Sequence, residues 1–328
     1  MKTLVLSHKE VEELLSIKEC IPLMRDALIA LAAGKAHQPL RTIMRPPDAK
    51  GVMGLMPSYM SGNAAAFGLK AICVFPENPA RGKDAHQGAV LLFSAVTGEL
   101  LAMMNASAIT AIRTAAVSGV ATELLARGDA CNLAILGSGV QARSHLIAMS
   151  NVRPLKRCRI ASRNVEHARK FADEMSQDFS FPLQAVETVE EAIKDSDLIV
   201  TATTAVEPIV ERQWITRGAH LNLVGSSRPS GREVDSETMA AASFFVDRRE
   251  STLNESGDYL FAAREGVIGP DHIRAELGEV LTGEKPGRTS AEEITLFKSL
   301  GLGIEDLFAA EYLYRKAQQE EVGTWFEF

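Results

Sequence analysis

Cysteine is scarce in this chain. The 328 residues hold four, Cys20, Cys73, Cys131 and Cys158, and they share no metal-ligand or redox spacing. That scatter excludes a zinc ribbon or a dithiol motif; it reads as small buried thiols in a reducing compartment, and no metal site is expected. Basic charge is short as well. The net charge of −7 leaves nothing broad and positive to neutralise phosphates, so nucleic acid is not the expected partner. No apolar run approaches membrane-spanning length, and the opening MKTLVLSHKE lacks the apolar core of a signal peptide. No membrane partner is expected, and the expected location is the cytoplasm. Internal repeats and low-complexity segments are missing too.

What is present is ordinary in amount and specific in pattern. An apolar fraction of 46% with 23% charged residues suits a globular protein, and the length suits two domains. The most informative stretch is Cys131 to His145, CNLAILGSGVQARSH. A short apolar run, Leu133 to Leu136, fits a buried parallel strand. Gly137-Ser138-Gly139 turns the chain, and Val140 to Ser150 can form a helix. This is the strand–turn–helix form of the dinucleotide fingerprint G-x-G-x-x-G/A, with Ala142 in third place. Gly137 permits the tight turn, Gly139 lets a pyrophosphate approach the backbone, and Ala142 lets the helix pack on the strand. The helix N-terminus offers the phosphates free N–H groups and a positive dipole end.

Before that stretch, Ser7 with Glu10 marks a helix start, and a second helix is expected from Cys20 to Ala33, ended by Gly34. Strand-like pieces follow at 41–45, 52–56, 68–75, 88–96 and 99–104, the last two a hairpin. Residues 106–126 read as one long helix rich in small residues, joining two domains. From Cys131 strands are expected at 131–136, 157–162, 183–186, 197–202, 219–225 and 243–246, alternating with helices at 140–151, 164–176, 188–194 and 235–242. The expected fold is therefore α/β: a Rossmann doubly wound parallel sheet plus a smaller discontinuous α+β domain. Residues after 247 are expected to leave the sheet. The amphipathic helix 304–319 is expected to pack back on the N-terminal domain. The expected boundaries are 1–118 with 300–328 for the substrate-binding and dimerisation domain, and 119–299 for the dinucleotide-binding domain.

Where an NAD enzyme would carry an acid for the ribose hydroxyl, the chain reads Arg159 to Asn164 with no Asp or Glu. Arg163 can instead pair with a 2′-phosphate, which favours NADP, with NAD as the alternative; otherwise Arg163 is a solvated arginine at the sheet edge. Three cations, Arg41, Lys70 and Arg113, lie in apolar surroundings. Each is either paired with a carboxylate of its own domain or kept for an anionic ligand such as a small carboxylate. Burial would lower the pKa of Lys70 towards neutrality and suit it to proton transfer. His86 before a strand is either a loop histidine bonded to backbone or a ligand contact. Glu255 either caps a helix or meets a cationic substrate nitrogen.

The stretches 38–42, 56–59, 86–87 with 90–93, 109–116, 136–144, 224–235, 255–258 and 297–301 together resemble the ornithine cyclodeaminase/mu-crystallin family over nearly the whole chain, most closely its ketimine-reductase members. The resemblance implies a homodimer of subunits with a Rossmann domain and a substrate domain, acting on a small amino or imino acid with a nicotinamide cofactor. It implies that Arg41, Lys70 and Arg113 hold the substrate carboxylate and polarise the reacting centre, with Glu255 also at the substrate. It places Gly137, Gly139, Val140 and Gln141 at the pyrophosphate, and Ser162, Arg163 and Asn164 at the 2′-phosphate. His86, Thr203, Val224, Ser226 and Ser299 would line the cofactor, with Arg113 beside it. One departure bears on the chemistry. Cyclodeaminases carry an aspartate after the strand ending near Gly225, and Ser227 stands in that place here. Ammonia-releasing cyclisation loses its base, whereas hydride transfer to a C=N bond does not need it. The expectation is a reductase making an amino acid such as proline or pipecolate. An amino-acid dehydrogenase, a cyclodeaminase, or a cofactor-dependent binding protein without turnover are the alternatives.

Overall fold

The computed structural model describes residues 2–327 and divides into two units, one from the N-terminus to Thr114 together with Gly301 onwards, the other Ala115–Leu300. The chain opens with β1 (Lys2–Leu6), α1 (His8–Leu14) and α2 (Ile17–Ala32). Ser7 and Ser16 each begin a capping box, with Glu10 and Glu19 bonding back to the serine amide. The second box starts α2 three residues before the expected Cys20, because it satisfies the first-turn donors better than a start just ahead of Pro22 would. Then come β2 (Ala36–His37), β3 (Thr42–Met44), β4 (Val52–Met60), β5 (Ala66–Val74), β6 (His86–Ser94) and β7 (Leu100–Asn105).

Helix α3 (Ala106–Leu125) follows. Contrary to expectation, it is long and apolar enough to cross a membrane, but 89% of that window is buried in the protein, so a core already covers its surface. The second unit continues with β8 (Asn132–Leu136), α4 (Val140–Val152), β9 (Arg157–Ala161), α5 (Val165–Met175), β10 (Leu183–Ala185), α6 (Val189–Ile193) and β11 (Leu198–Thr201). It ends with β12 (His220–Leu223), α7 (Ser236–Ala241), β13 (Ser243–Val246), α8 (Arg249–Glu255), α9 (Gly257–Arg264), β14 (Ile273–Glu276), α10 (Leu277–Leu281) and β15 (Thr295–Lys298).

The sheet of this unit is parallel throughout, in the order β10-β9-β8-β11-β12-β15-β13-β14. Strand order reverses between β8 and β11, the switch point of a Rossmann sheet. One expectation fails here. Residues 273–276 and 295–298 rejoin the sheet, and β15 inserts between β12 and β13. Their four-residue runs, IRAE and TLFK, lack the apolar continuity of a buried strand. Lys298 is tolerated inside because Asp258 pairs with it at 2.8 Å.

The chain ends with α11 (Gly303–Glu320) and β16 (Thr324–Glu327). In the first unit the sheet runs β16-β1-β7-β6-β5-β4-β2, with β3 also on β4. Strands β1 and β16 escape the sequence reading. Alternation along β4 and β5 puts Met56, Ser58, Gly68 and Lys70 on the buried face, against α11. The opposite face carries Pro57, Leu69, Leu91 and Met103 in one cross-strand row and Tyr59, Phe67 and Phe93 in the next.

Within the second unit the layer between helices and sheet is partly polar. His145 bonds the Gln141 carbonyl at 2.7 Å through Nδ1 and the Ser118 hydroxyl at 2.9 Å through Nε2. Asn222 donates to Thr122 at 3.0 Å, and His220 Nδ1 meets Thr295 Oγ1 at 3.0 Å. Burial pushes His145 down to about 4, and burial followed by the Arg288 charge pushes His220 to about 3, both from 6.5. The unfolded chain therefore takes up protons that the folded chain refuses. Stability should be level above pH 6.5 and fall as the pH drops towards 4, each histidine contributing on the order of 3 kcal/mol. Urea unfolding midpoints across that range check this. His145→Gln should flatten the slope while lowering stability at neutral pH.

Candidate active site

The nucleotide half is built on β8 and α4. Gly137 adopts φ +120, and a Cβ there would lie 2.4 Å from the Ala202 carbonyl, so only glycine makes this turn. Gly139 is the N-cap of α4 and supplies no side-chain cap, and a Cβ on it would meet nothing within 4 Å. The head of the helix is thus uncrowded at Gly139, and the buried Gln141 Oε1 has no partner among the described residues. A pyrophosphate fits this arrangement of free donors and dipole.

At the end of β9, Ser162 shares a 3.1 Å hydrogen bond with Ser138 and Arg163 is exposed. Asn164 caps α5, its side-chain oxygen accepting the Glu166 amide at 2.9 Å. Because every strand runs the same way, the residues after β11, β12 and β15 gather at the end of the sheet that carries the glycine turn. There Thr203 is half-buried, Val224, Ser226 and Ser299 are buried, and the Ser299 hydroxyl has no partner among the described residues.

The first unit holds a cluster of cations. Lys70 is 2% exposed and Arg113 4%. Both meet one oxygen of Asp306, Lys70 Nζ at 3.2 Å and Arg113 Nε at 3.1 Å, and Arg113 also donates to Glu305 at 2.7 Å. The ion-pair reading of Lys70 and Arg113 is thus realised. Half-buried Arg41 donates to the Gly301 carbonyl at 3.3 Å, and the Arg113 guanidinium lies against the same glycine. Lys70 and Arg113 pair with Glu305 and Asp306, and Arg41 adds a third positive charge at Gly301, surroundings that suit a small anion. Burial lowers Lys70 to about 8, the Asp306 carboxylate resists that shift, and the Arg113 and Arg41 charges add to it. The arrangement can hold a small carboxylate and pass a proton near neutral pH.

Glu305 and Asp306 escape the sequence reading. Their signal is a pair of adjacent acids in the first turn of α11 with apolar residues on both sides. His86 opens β6 opposite Val74, and it is exposed. Glu255 is the last residue of α8, half-buried. It caps no helix, because Ser256 is the N-cap of α9.

The model of the ornithine cyclodeaminase/mu-crystallin family matches residues 1–321. The chain is 39% identical over 326 residues to a Delta(1)-pyrroline-2-carboxylate reductase of Bacillus cereus, covering 99% of this chain and 100% of that protein. It is 40% identical over 313 residues to the ketimine reductase mu-crystallin of Mus musculus, covering 94% and 96%. The solved structure of Thermococcus litoralis Delta(1)-pyrroline-2-carboxylate reductase in complex with NADH and L-proline superposes with a TM-score of 0.95 at 43% identity, over 98% of this chain and 99% of that one.

The cation cluster depends on Gly301, which sits at φ +80 with its missing Cβ 2.6 Å from the Arg113 guanidinium. Arg113 cannot yield freely, because Glu305 and Asp306 pin it. Gly301→Ala should therefore destabilise the fold by about 1–3 kcal/mol, read as a lower denaturant midpoint.

Proposed function

The chain belongs to the ornithine cyclodeaminase/mu-crystallin family, and from that premise we propose that it is an NAD(P)H-dependent imino-acid (ketimine) reductase. The product would be a cyclic amino acid such as proline or pipecolate. The observation that carries this reading is the buried cation cluster, in which Lys70 and Arg113 share Asp306 and Arg41 joins them at Gly301. In it Arg41 and Arg113 hold the substrate carboxylate and so fix the neighbouring imine carbon. Lys70, or a water it holds, gives the nitrogen its proton as the carbon is reduced. When bound, the reduced nicotinamide supplies the hydride. Gly137, Gly139, Val140 and Gln141 would hold its pyrophosphate, and Thr203, Val224, Ser226 and Ser299 would line it. Ser227 carries no charge with which to take a proton from a ring-closing amine, which speaks against cyclodeamination.

Two finer assignments go with this. An exposed Arg163 beside Ser162, with no acid between Arg159 and Asn164, suits a 2′-phosphate, so NADPH is the preferred donor and NADH the alternative. The outer face of the first unit's sheet suits a homodimer interface, with Phe67 49% and Met103 41% exposed amid an apolar row. The residues up to Thr114 and from Gly301 on would then form the substrate and dimerisation domain, and Ala115–Leu300 the dinucleotide domain. The cysteines are all free, two of them buried, in keeping with a reducing cytoplasm.

Mixing the protein with NADPH or NADH and a panel of imino acids, including Δ1-pyrroline-2-carboxylate and Δ1-piperideine-2-carboxylate, should consume the nicotinamide. No turnover with any imine overturns the reading, and ammonia released from ornithine would point to a cyclodeaminase. Lys70→Ala should bind cofactor and lose activity. Because the protonated form of Lys70 is the active one, kcat/KM should fall as the pH rises through about 8. Phe67→Glu should turn a dimer into a monomer in sedimentation; a monomeric wild type removes the interface.

A further inference from the structure

We infer that Glu233 is the positioning residue of the nucleotide half, its carboxylate holding the segments after β11 and β12 in nucleotide-binding shape. The inference rests on the proposed function for the identity of the nucleotide. Glu233 is fully buried, yet among the described residues no cation bonds its carboxylate. Its charge is met by donors from two segments. Oε2 accepts the Thr201 hydroxyl at 2.7 Å, the Gly225 amide at 2.8 Å and the Ser226 amide at 3.3 Å. Oε1 accepts the Thr203 amide at 2.9 Å and its hydroxyl at 2.7 Å.

The carboxylate is fixed from behind. The Glu233 amide donates to Asp258 Oδ1 at 2.7 Å, and Lys298 Nζ bonds Asp258 Oδ2 at 2.8 Å and the Ser226 carbonyl at 2.5 Å. Lys298 is the last residue of β15, so one network ties together the ends of β11, β12 and β15. The fit is close: a Cβ on Gly225 would lie 2.4 Å from Glu233 Oε1 and 2.2 Å from the Thr203 carbonyl. If packing alone were needed, apolar side chains would fill this space without the desolvation penalty of buried charge. What the carboxylate adds is direction. It draws the Thr203, Gly225 and Ser226 amides inward, which fixes how the segments holding Thr203, Val224 and Ser226 face the ligand end of the sheet. The buried Ser299 hydroxyl just after β15, without a partner among the described residues, independently points to a ligand at that end.

The test compares wild type, Glu233→Gln and Thr201→Val in affinity for NADPH and for NADH, by fluorescence titration, and in amide hydrogen exchange of the cofactor-free protein. Glutamine keeps the shape but turns an N–H₂ towards the donors of one segment. It should weaken NADH binding at least about tenfold and speed exchange at Thr203 and at Gly225 and Ser226, with the β8 amides unchanged. The rise in KM for NADH should exceed the loss in kcat at saturation. Thr201→Val, which takes one hydroxyl from Glu233 and leaves the carboxylate in place, should weaken NADH binding about threefold and remain folded if glutamine does not. Wild-type affinity in both variants, or faster exchange spread evenly over the sheet, would overturn the assignment. A wild type that binds NADH but reduces no imine would overturn the proposed function while leaving Glu233 in its positioning role.

Discussion

Asp306 Oδ1 takes a hydrogen bond from Lys70 and another from Arg113, and the first unit is arranged around that shared counter-ion. Lys70 and Arg113 could not stay charged in an apolar interior without it, because stripping water from a cation costs several kcal/mol or more. The acid arrives from α11, nearly two hundred residues further along the chain than Arg113. Late sequence therefore completes an early sheet, and the discontinuous unit follows from electrostatics as much as from apolar packing. Glu305 beside it accepts from a second N–H of Arg113, so the guanidinium is fixed in orientation as well as position. Arg41 and Gly301 close the arrangement.

The second unit solves the converse problem, keeping a buried anion without a cation on it. Glu233 is satisfied by backbone amides and threonine hydroxyls, and its own amide is held by Asp258, which Lys298 neutralises. Parallel strands make this possible. All their C-terminal ends open on one side, so segments remote in sequence meet where amides are still free. The glycine turn after β8 uses the same geometry, offering donors to a phosphate. Both devices depend on backbone N–H groups just beyond the strand ends.

Family membership also sharpens what is particular to this chain. The ionisable groups of the Lys70–Arg113–Asp306 cluster suit carboxylate binding and proton donation. The polar layer of His145, Ser118, Thr122 and Asn222 beneath the sheet has a separate role: it is bonded within the second unit and faces no proposed ligand.

The sequence by itself determined what is local. The fingerprint from Leu133 to Ala142, the capping signal at Ser7, the hairpin near Thr97 and the alternation of strands with helices depend on neighbours a few residues apart, and they were readable. It also marked Arg41, Lys70 and Arg113 as cations out of place. Tertiary structure alone decided their partners, because Glu305 and Asp306 read as an ordinary acidic first turn until α11 lies on the sheet. It likewise decided the places of β14 and β15, whose charged four-residue runs become strands only through their neighbours and the Lys298–Asp258 pair. It gave Asn164 to a helix cap and Glu233 to two distant segments. The division is physical: periodicity and caps act over one or two turns of chain, whereas the neutralisation of a buried charge depends on whatever the fold brings within hydrogen-bonding distance.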